Sequence, residues 1–513
     1  NLASHILGYV SNDGKYVMGI SEYFKEDLKG VDGSRMVQRD ALGRIVTVVD
    51  ESITPAVSGD HFYLTIDKNY QQILEDEVRK GIKDYSAVSG TAIMMNPNTG
   101  EILALTNIED YDPNEYWKAN DFQRRNRAIT DTYEPGSTFK SFTLASLIDQ
   151  NLCRLDETLN LENGKYRLNN VNIRDTHPFN KLSVAGIFEQ SSNIGFAKLV
   201  QRIDNEKFFK YLRGFGFGNT TSITLPGETS GRLRKPNEWS KVSKTYLSFG
   251  YEVSVTPVQM VAAYCALING GVLYEPQLVL RQINANGDLI KEFEPKEIRR
   301  VISEKTSEII KNLLGDVVNN GTGKKAKSDF ITIGGKTGTS QKLVDGAYSK
   351  QYYNSSFIGF FPVEDPQVVC LILINSPDHG KYGGLVAAPI FKNVAERIVQ
   401  TDNDKFQQYL NPNTSLRPKF VEEKQDDFKK LESKIKSRNV KEVKLSSINK
   451  MPDLINCQIN DAISVLTKLG IKYKIIGSGI VVSQSITANK KLNGDETCLL
   501  ECSEYSVKRA LNY

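Results

Sequence analysis

Apolar positions along the chain change their spacing several times, and each change marks an element. Arg44–Asp50 and His61–Ile66 alternate or run apolar with β-branched residues, as strands do. Asp67 then stands as a helix cap before Tyr70, Ile73, Leu74, Val78 and Ile82, which recur at helical spacing. Thr91–Asn96 and Ile102–Leu105 are short apolar runs parted by Pro97-Asn98-Thr99-Gly100, so a hairpin is predicted there. Phe139–Ile148 reads as an apolar helix. Ile331–Gly335, Ser356–Phe361 and Val368–Ile374 read as late strands before a closing helix at Val386–Val399. That order, with hairpin-length connections, predicts an α+β fold on an antiparallel sheet flanked by helices.

The pattern breaks near Thr401. From there to about Lys450 the chain is dense in Lys, Glu, Asp, Asn and Ser, a linker composition with a solvated helix predicted at Val421–Lys436. After Met451 periodicity returns, with a helix at Asp461–Leu469 and strands at Tyr473–Ile476, Ile480–Ser485 and Thr497–Cys502. This is a small αβ module. The expected division is an N-terminal segment over 1–66, a main domain over 67–402, a linker over 403–448 and the module over 449–508.

Composition narrows the function. Of 513 residues 25% are charged, 40% are hydrophobic and the net charge is +4, too small for this length to point to nucleic acid. Wholesale disorder and a collagen-like repeat are excluded as well. No apolar run reaches the ~18 residues that span a bilayer. The chain opens at Asn1 and its first methionine is Met18, so a fragment of a longer product is expected. The six cysteines show no Cys-x-x-Cys spacing and no metal signature. Cys498 and Cys502 would lie ~13 Å apart on one strand face, too far for a disulfide. All six are expected as buried thiols.

Three short motifs carry the chemistry. Tyr133-Glu134-Pro135-Gly136-Ser137-Thr138-Phe139-Lys140 runs from a Pro-Gly turn into the apolar helix, with Ser137 and Lys140 one turn apart on one face. A serine at a helix start has free backbone N–H groups beside it, suited to a developing oxyanion. A lysine one turn on can take its proton once burial holds that lysine neutral. Ser-x-x-Lys also occurs at Ser433–Lys436 and Ser447–Lys450, but both lie in the charged linker. Ser191-Ser192-Asn193 follows. Lys336-Thr337-Gly338 comes directly after the apolar stretch Ile331–Ile333, flanked by Gly334-Gly335 and Thr339-Ser340, where a ligand backbone can lie close.

Ser-x-x-Lys, Ser-x-Asn and Lys-Thr-Gly in this order are the motif set of penicillin-binding proteins and serine β-lactamases. The chain resembles a class B penicillin-binding protein, a monofunctional peptidoglycan transpeptidase of division type, over nearly its whole length. Phe249-Gly250-Tyr251, Asn269-Gly270-Gly271, Gly321-Thr322-Gly323, Phe357-Ile358-Gly359-Phe360-Phe361-Pro362 and Tyr382-Gly383-Gly384 are similar to transpeptidase landmarks. His5–Val10 and Leu28–Gly30 with Asp32-Gly33 resemble the end of the family's N-terminal pedestal domain. Glu22 stands one place later than the family's usual glutamate. Pro452-Asp453-Leu454, Asp461-Ala462, Leu466, Gly470, Gly477-Ser478-Gly479 and Gln484 resemble a PASTA domain, with Asn456 and Asn489 where glycine is usual.

The resemblance implies roles by position. Ser137 is the acyl-accepting nucleophile and Lys140 its base. Ser191 relays a proton toward the leaving amine, and Asn193 holds Lys140 and the substrate amide. Lys336 raises the local positive potential and bridges to Ser191. Thr337 and Thr339, with Gly338 between them, hold the substrate carboxylate, and the N–H groups of Ser137 and Thr339 form an oxyanion hole. The implied substrates are D-Ala-D-Ala stem peptides, β-lactams are covalent inhibitors, and no metal or organic cofactor is required. A SEDS-type glycosyltransferase and division proteins are the implied partners. The implied location is the outer face of the cell membrane, through one upstream helix.

Three rivals share parts of this pattern. A class A β-lactamase needs Glu-x-x-Leu-Asn after Ser-x-Asn. The nearest match, Asp156-Glu157-Thr158-Leu159-Asn160, begins with Asp and precedes Ser191. A D,D-carboxypeptidase with water as acceptor carries the same motifs. A non-catalytic peptidoglycan-sensing scaffold would be expected to lack Ser137, Lys140 or Lys336, and all three are present.

Overall fold

A computed structural model describes residues 2–344, 346–410 and 451–503, except 456, 458, 469–470, 478–479, 489 and 492–496. Two compact units are present, Asn1–Leu416 and Arg417–Tyr513. The helix expected at Val421–Lys436 and the departures at Asn456 and Asn489 lie outside the described residues.

The larger unit is built on one antiparallel sheet of five strands: β1 (Ala87–Met95), β2 (Ile102–Ile108), β3 (Gly334–Val344), β4 (Ala347–Phe361) and β5 (Val368–Pro377), in the order β3-β4-β5-β1-β2. Residues 368–374 of β5 are apolar without alternation because helices cover both faces of the sheet. On one face, helix α1 (Lys68–Asp84) and helix α6 (Gly383–Thr401) bury Leu74, Val78, Phe391 and Val394 against Ala92, Phe357, Cys370 and Ile372. On the other face, α4 (Pro257–Ile268) packs with α2 (Lys140–Asp149) and α5 (Glu304–Asn319) around Ile93, Ile358, Leu371, Phe139 and Phe142. Caps set where these helices start. Asp67 accepts from the N–H groups of Asn69 and Tyr70, as its place before the apolar spacing predicts. Thr256 and Gln259 form a reciprocal capping box, with Pro257 as the first helical residue.

Part of the first 66 residues shares this packing. Ile6 and Ile20 are buried in the second of these cores. His61–Leu64 pairs with Val279–Ile283, far along the chain. A hairpin joins Ser34–Arg39 to Ile45–Thr54. Glu22 accepts from the Met18 N–H at 2.8 Å.

Two expectations near the site need correction. The strand predicted at Ile331–Gly335 begins only at Gly334, so Lys336-Thr337-Gly338 lies inside β3 and not after it. An edge strand gains its ladder from one neighbour and needs no apolar run, which is why Gly, Thr and Ser conceal it. The apolar helix begins at Lys140, after a 3₁₀ turn over Gly136–Phe139 that carries Ser137. The cysteine expectation also fails in part: all six are free, but Cys153, Cys457 and Cys502 are only half-buried.

The second unit has a helix α7 (Ile459–Lys468) and strands β6 (Lys472–Ile476), β7 (Ile480–Gln484) and β8 (Thr497–Ser503). β8 lies between β6, parallel to it, and β7, antiparallel to it. Leu454, Ala462, Leu466, Val481 and Leu500 form its core. The Gln484 side chain ties the entry segment down, accepting from Leu454 N–H and donating to the Pro452 and Ile486 carbonyls. Gly477 has φ +89°, and a Cβ there would lie 2.1 Å from the Cys502 carbonyl oxygen. Among the described residues no helix is long and apolar enough to cross a membrane.

Phe391 is fully buried, with ring centroids 4.9 Å from Phe357 and 6.1 Å from Phe361. Phe391→Ala is expected to destabilise the larger unit by about 3–5 kcal/mol, the usual penalty of an unfilled aromatic cavity. A urea titration followed by tryptophan fluorescence measures it as a fall in midpoint without a change in slope.

Candidate active site

Ser137 sits where the turn after Pro135 meets α2, beside the outer edge of β3. The approach is close. Gly136 has φ +57°, and a Cβ there would lie 3.1 Å from the Thr339 carbonyl oxygen. A Cβ on Gly250 would lie 2.2 Å from the Gly136 carbonyl oxygen, so Phe249-Gly250-Tyr251 backs the turn directly. Tyr264, buried on α4, holds the turn from below. Its hydroxyl donates to the Thr138 carbonyl at 2.7 Å and lies 2.8 Å from Ser141 Oγ.

Lys140 is fully buried, and its Nζ has four oxygens in reach. Ser191 O and Asn193 Oδ1 lie at 2.7 Å, Ser137 Oγ at 3.1 Å and Ser191 Oγ at 3.2 Å. The two nearest are carbonyl oxygens, which can only accept. The two hydroxyls can also donate. A neutral amine fits this set: two N–H bonds go to the carbonyls and the lone pair faces the hydroxyls. Burial pushes the Lys140 pKa down to about 7, against a smaller upward pull from Asp175.

The Ser191–Asn193 turn is held at a cost in backbone strain. Ser191 has φ +57°, in the left-handed region that only glycine enters freely. Asp175 secures it, accepting from Ser192 Oγ at 2.6 Å, Asn193 N at 2.6 Å and Ile194 N at 3.0 Å. Ser192 in turn caps α3 (Asn193–Leu199), accepting from Gly195 N. Asn193 Nδ2 donates to the Arg174 carbonyl, which fixes the amide with Oδ1 toward Lys140.

The third motif lines the facing wall. Thr337 Oγ1 lies 3.0 Å from Thr322 Oγ1, and Thr339 Oγ1 accepts from the Gly383 N–H at 3.0 Å. Gly338 is needed as such: a Cβ would meet Ser356 Oγ at 2.3 Å and the Pro135 carbonyl oxygen at 3.0 Å. Lys336 is fully buried. Its expected bridge to Ser191 is absent: Lys336 Nζ has no hydrogen-bond partner among the described residues and lies 5.8 Å from the Phe188 ring centroid. Desolvation, with the nearby Lys140 charge second, pushes its pKa well below the ordinary lysine range.

The structure thus gathers Ser137, Lys140, Ser191 and Asn193 into one hydrogen-bonded cluster and sets Lys336, Thr337, Gly338 and Thr339 on the strand edge beside it. Asp175 and Tyr264 were not legible as site residues, because neither stands in a motif and both act from distant segments. Among the described residues no group of His, Cys, Asp and Glu is placed to hold a metal ion.

Comparison with known proteins agrees with this geometry. Residues 90–396 match the penicillin-binding protein transpeptidase domain, and residues 449–501 match the PASTA domain. Stage V sporulation protein D of Bacillus subtilis is 32% identical over 512 residues, covering 99% of this chain and 75% of that protein. The probable peptidoglycan D,D-transpeptidase PenA of Neisseria meningitidis is 35% identical over 397 residues, 77% of this chain; the match spans 66% of PenA, just under two thirds of its length. Penicillin-binding protein 3 of Mycobacterium tuberculosis, solved in complex with aztreonam, superposes with a TM-score of 0.71 at 29% identity, covering 80% of this chain and 90% of that one. A buried lysine between two serines at the edge of an antiparallel sheet, and these matches across both units, lead to one assignment: the chain belongs to the class B penicillin-binding proteins of division type, with a C-terminal PASTA domain.

Proposed function

We propose that this protein is a serine D,D-transpeptidase that cross-links peptidoglycan stem peptides, acts in septal wall synthesis and is acylated by β-lactams. The observation that carries this reading is the Lys140 amine, buried, with its pKa near 7 and within 3.2 Å of both serine hydroxyls. Such an amine is a base at neutral pH.

The steps follow from the contacts. Lys140 takes the Ser137 proton as Oγ attacks the carbonyl between the two D-alanines. The N–H groups of Ser137 and Thr339 stabilise the oxyanion. The C–N bond breaks, and the proton passes from Lys140 through Ser191 to the departing D-Ala amine. The acyl-enzyme ester is then attacked by the acceptor amine. A C–N bond forms, the bond to Ser137 Oγ breaks, and the amine proton returns through Ser191 and Lys140 to Ser137 Oγ. Thr339 Oγ1 accepts from Gly383, which leaves its own proton free to donate to the substrate carboxylate. Thr337 and Lys336 complete that carboxylate site.

The same reading keeps the division into 1–66, 67–402, 403–448 and 449–508, with the first part the end of a pedestal domain. It puts the described units on the outer face of the cell membrane, held by a helix outside this sequence. A SEDS-type glycan polymerase and division proteins are the partners it implies.

Acylation tests the reading. A fluorescent penicillin is expected to label the protein covalently on a denaturing gel and to leave Ser137→Ala unlabelled; a folded but unlabelled parent moves the non-catalytic scaffold to the front. The second-order acylation rate should rise with pH and reach half its plateau near the Lys140 value of about 7, falling about tenfold per pH unit below it. Lys336 gives a third prediction, on stability. The unfolded chain keeps the Lys336 proton up to the ordinary lysine range, while the folded chain releases it far lower, so folding stability rises with pH through that window. Lys336→Met is expected to flatten that rise and to stabilise the protein at neutral pH by about 1–3 kcal/mol, while slowing acylation. Denaturant titrations at neutral and alkaline pH measure both effects.

A further inference from the structure

A small polar cavity of about 120 Å³ lies between the sheet and the chain segment that leads into the Ser137 turn. The acylation steps make no use of it. On the sheet side Ser89 of β1, Asn375 of β5 and Asn354 of β4 are register partners across three strands. Lys342 of β3 joins them, donating to Asn375 Oδ1 at 2.9 Å. Arg127, Asp131, Thr132 and Tyr133 line the other side, and Thr132 is exposed, which gives the cavity a way to solvent.

The lining has more positive charge than it can pair. Arg127 is only 4% exposed. Its two terminal nitrogens donate to the carbonyls of Phe122 at 2.7 Å and Glu109 at 3.2 Å, and its Nε is buried without a partner. Lys342 is half-buried and places one of its three donors, on Asn375. Among the described residues no carboxylate lies within ion-pair distance of either cation. Asp131, the one acid among the described lining residues, is held by Arg125 Nε at 2.9 Å and Thr130 Oγ1 at 2.9 Å. Tyr133 is buried too, and its hydroxyl has no partner. Pro257, the first residue of α4, also lines the cavity, so the positive end of that helix dipole lies at the same space.

These features call for an anion. A buried cation is ordinarily paired, and leaving one unpaired is costly. Burial pushes the Arg127 pKa down to about 10, with the Asp131 charge pulling the other way, and Arg127 remains charged at neutral pH. Water would satisfy the spare donors and leave that charge unmatched. The volume, that of roughly four waters, excludes a peptide or a sugar.

We infer that this cavity binds a small monovalent anion, a halide or an oxyanion of similar size, between Arg127 and Lys342. The anion fastens the Arg127–Tyr133 segment to four strands of the sheet, and that segment runs on through Pro135 to the nucleophile. It is a brace beneath the Ser137 turn, separate from the bond-making groups.

Chloride is the probe. Thermal unfolding is followed in 0.3 M sodium chloride and in 0.3 M sodium gluconate, an anion too large for the cavity. The parent is expected to melt about 1–3 °C higher in chloride. Arg127→Gln should abolish that difference and Lys342→Gln should at least halve it. Lys342 is half-buried and its loss leaves no cavity in the core, so the second variant keeps the test intact if the first fails to fold. Crystals of the parent soaked in bromide should show an anomalous peak between the two side chains. Equal melting in the two salts, a chloride shift that survives in Lys342→Gln, or bromide-soaked density that holds water alone overturns the site. Neither melting nor bound bromide depends on the transpeptidase reading, which acylation tests separately.

Discussion

An amine with no carboxylate in direct contact, placed in the protein interior, is the constraint on which the site depends. Lys140 is reached by four oxygens, all of them uncharged groups. The nearest anion that influences it, Asp175, is held one step away by the Ser192 hydroxyl and by backbone N–H groups. A carboxylate touching Lys140 would restore its charge and remove the base. A wholly apolar surround would leave the amine unsatisfied, at a cost of about 1–3 kcal/mol. Neutral carbonyls at 2.7 Å meet both demands, since they orient the amine without fixing its proton.

That requirement propagates outward through the backbone. Ser191 presents both its carbonyl and its hydroxyl to Lys140 from a left-handed conformation, and the three contacts of Asp175 with the turn offset the strain. Ser137 can approach the strand edge only if Gly136, Gly250 and Gly338 leave out their side chains. The sheet then holds the edge in place. β3 has a single strand neighbour, yet the contacts of Thr337 with Thr322 and of Thr339 with Gly383 brace its outer side while leaving hydroxyl protons available.

Much of this was legible in the sequence, for identifiable reasons. Helix α1 and β5 could be read because periodicity and continuous apolarity report burial directly. The pairing of Ser137 with Lys140 was legible because an interval of three is local. β3 was not, because an edge strand made of Gly, Thr and Ser carries no apolar signature and owes its conformation to β4. Asp175 was invisible for a different reason. It contacts Ser192, Asn193 and Ile194 from 17–19 positions upstream, and a lone aspartate looks the same whether it braces a turn or faces water. Lys336 lies buried on β3 without the bridge to Ser191 expected for it, since motif order does not say what a side chain touches.

The two buried lysines are best understood as a pair. On the transpeptidase reading the donor ends in a carboxylate, and that carboxylate must settle near Thr337, Thr339 and Lys336. A bare anion brought this close would favour the charged form of Lys140 and so disable the base at the moment of need. On the same reading Lys336 counters this. Having no partner of its own, and held toward the neutral form by burial, it can take up a proton as the carboxylate arrives. Carboxylate and new ammonium then enter as a nearly neutral pair, and the potential at Lys140 stays close to that of the empty site. On that reading the orphaned amine that weakens the folded protein also balances the charge of an anionic substrate beside a neutral base.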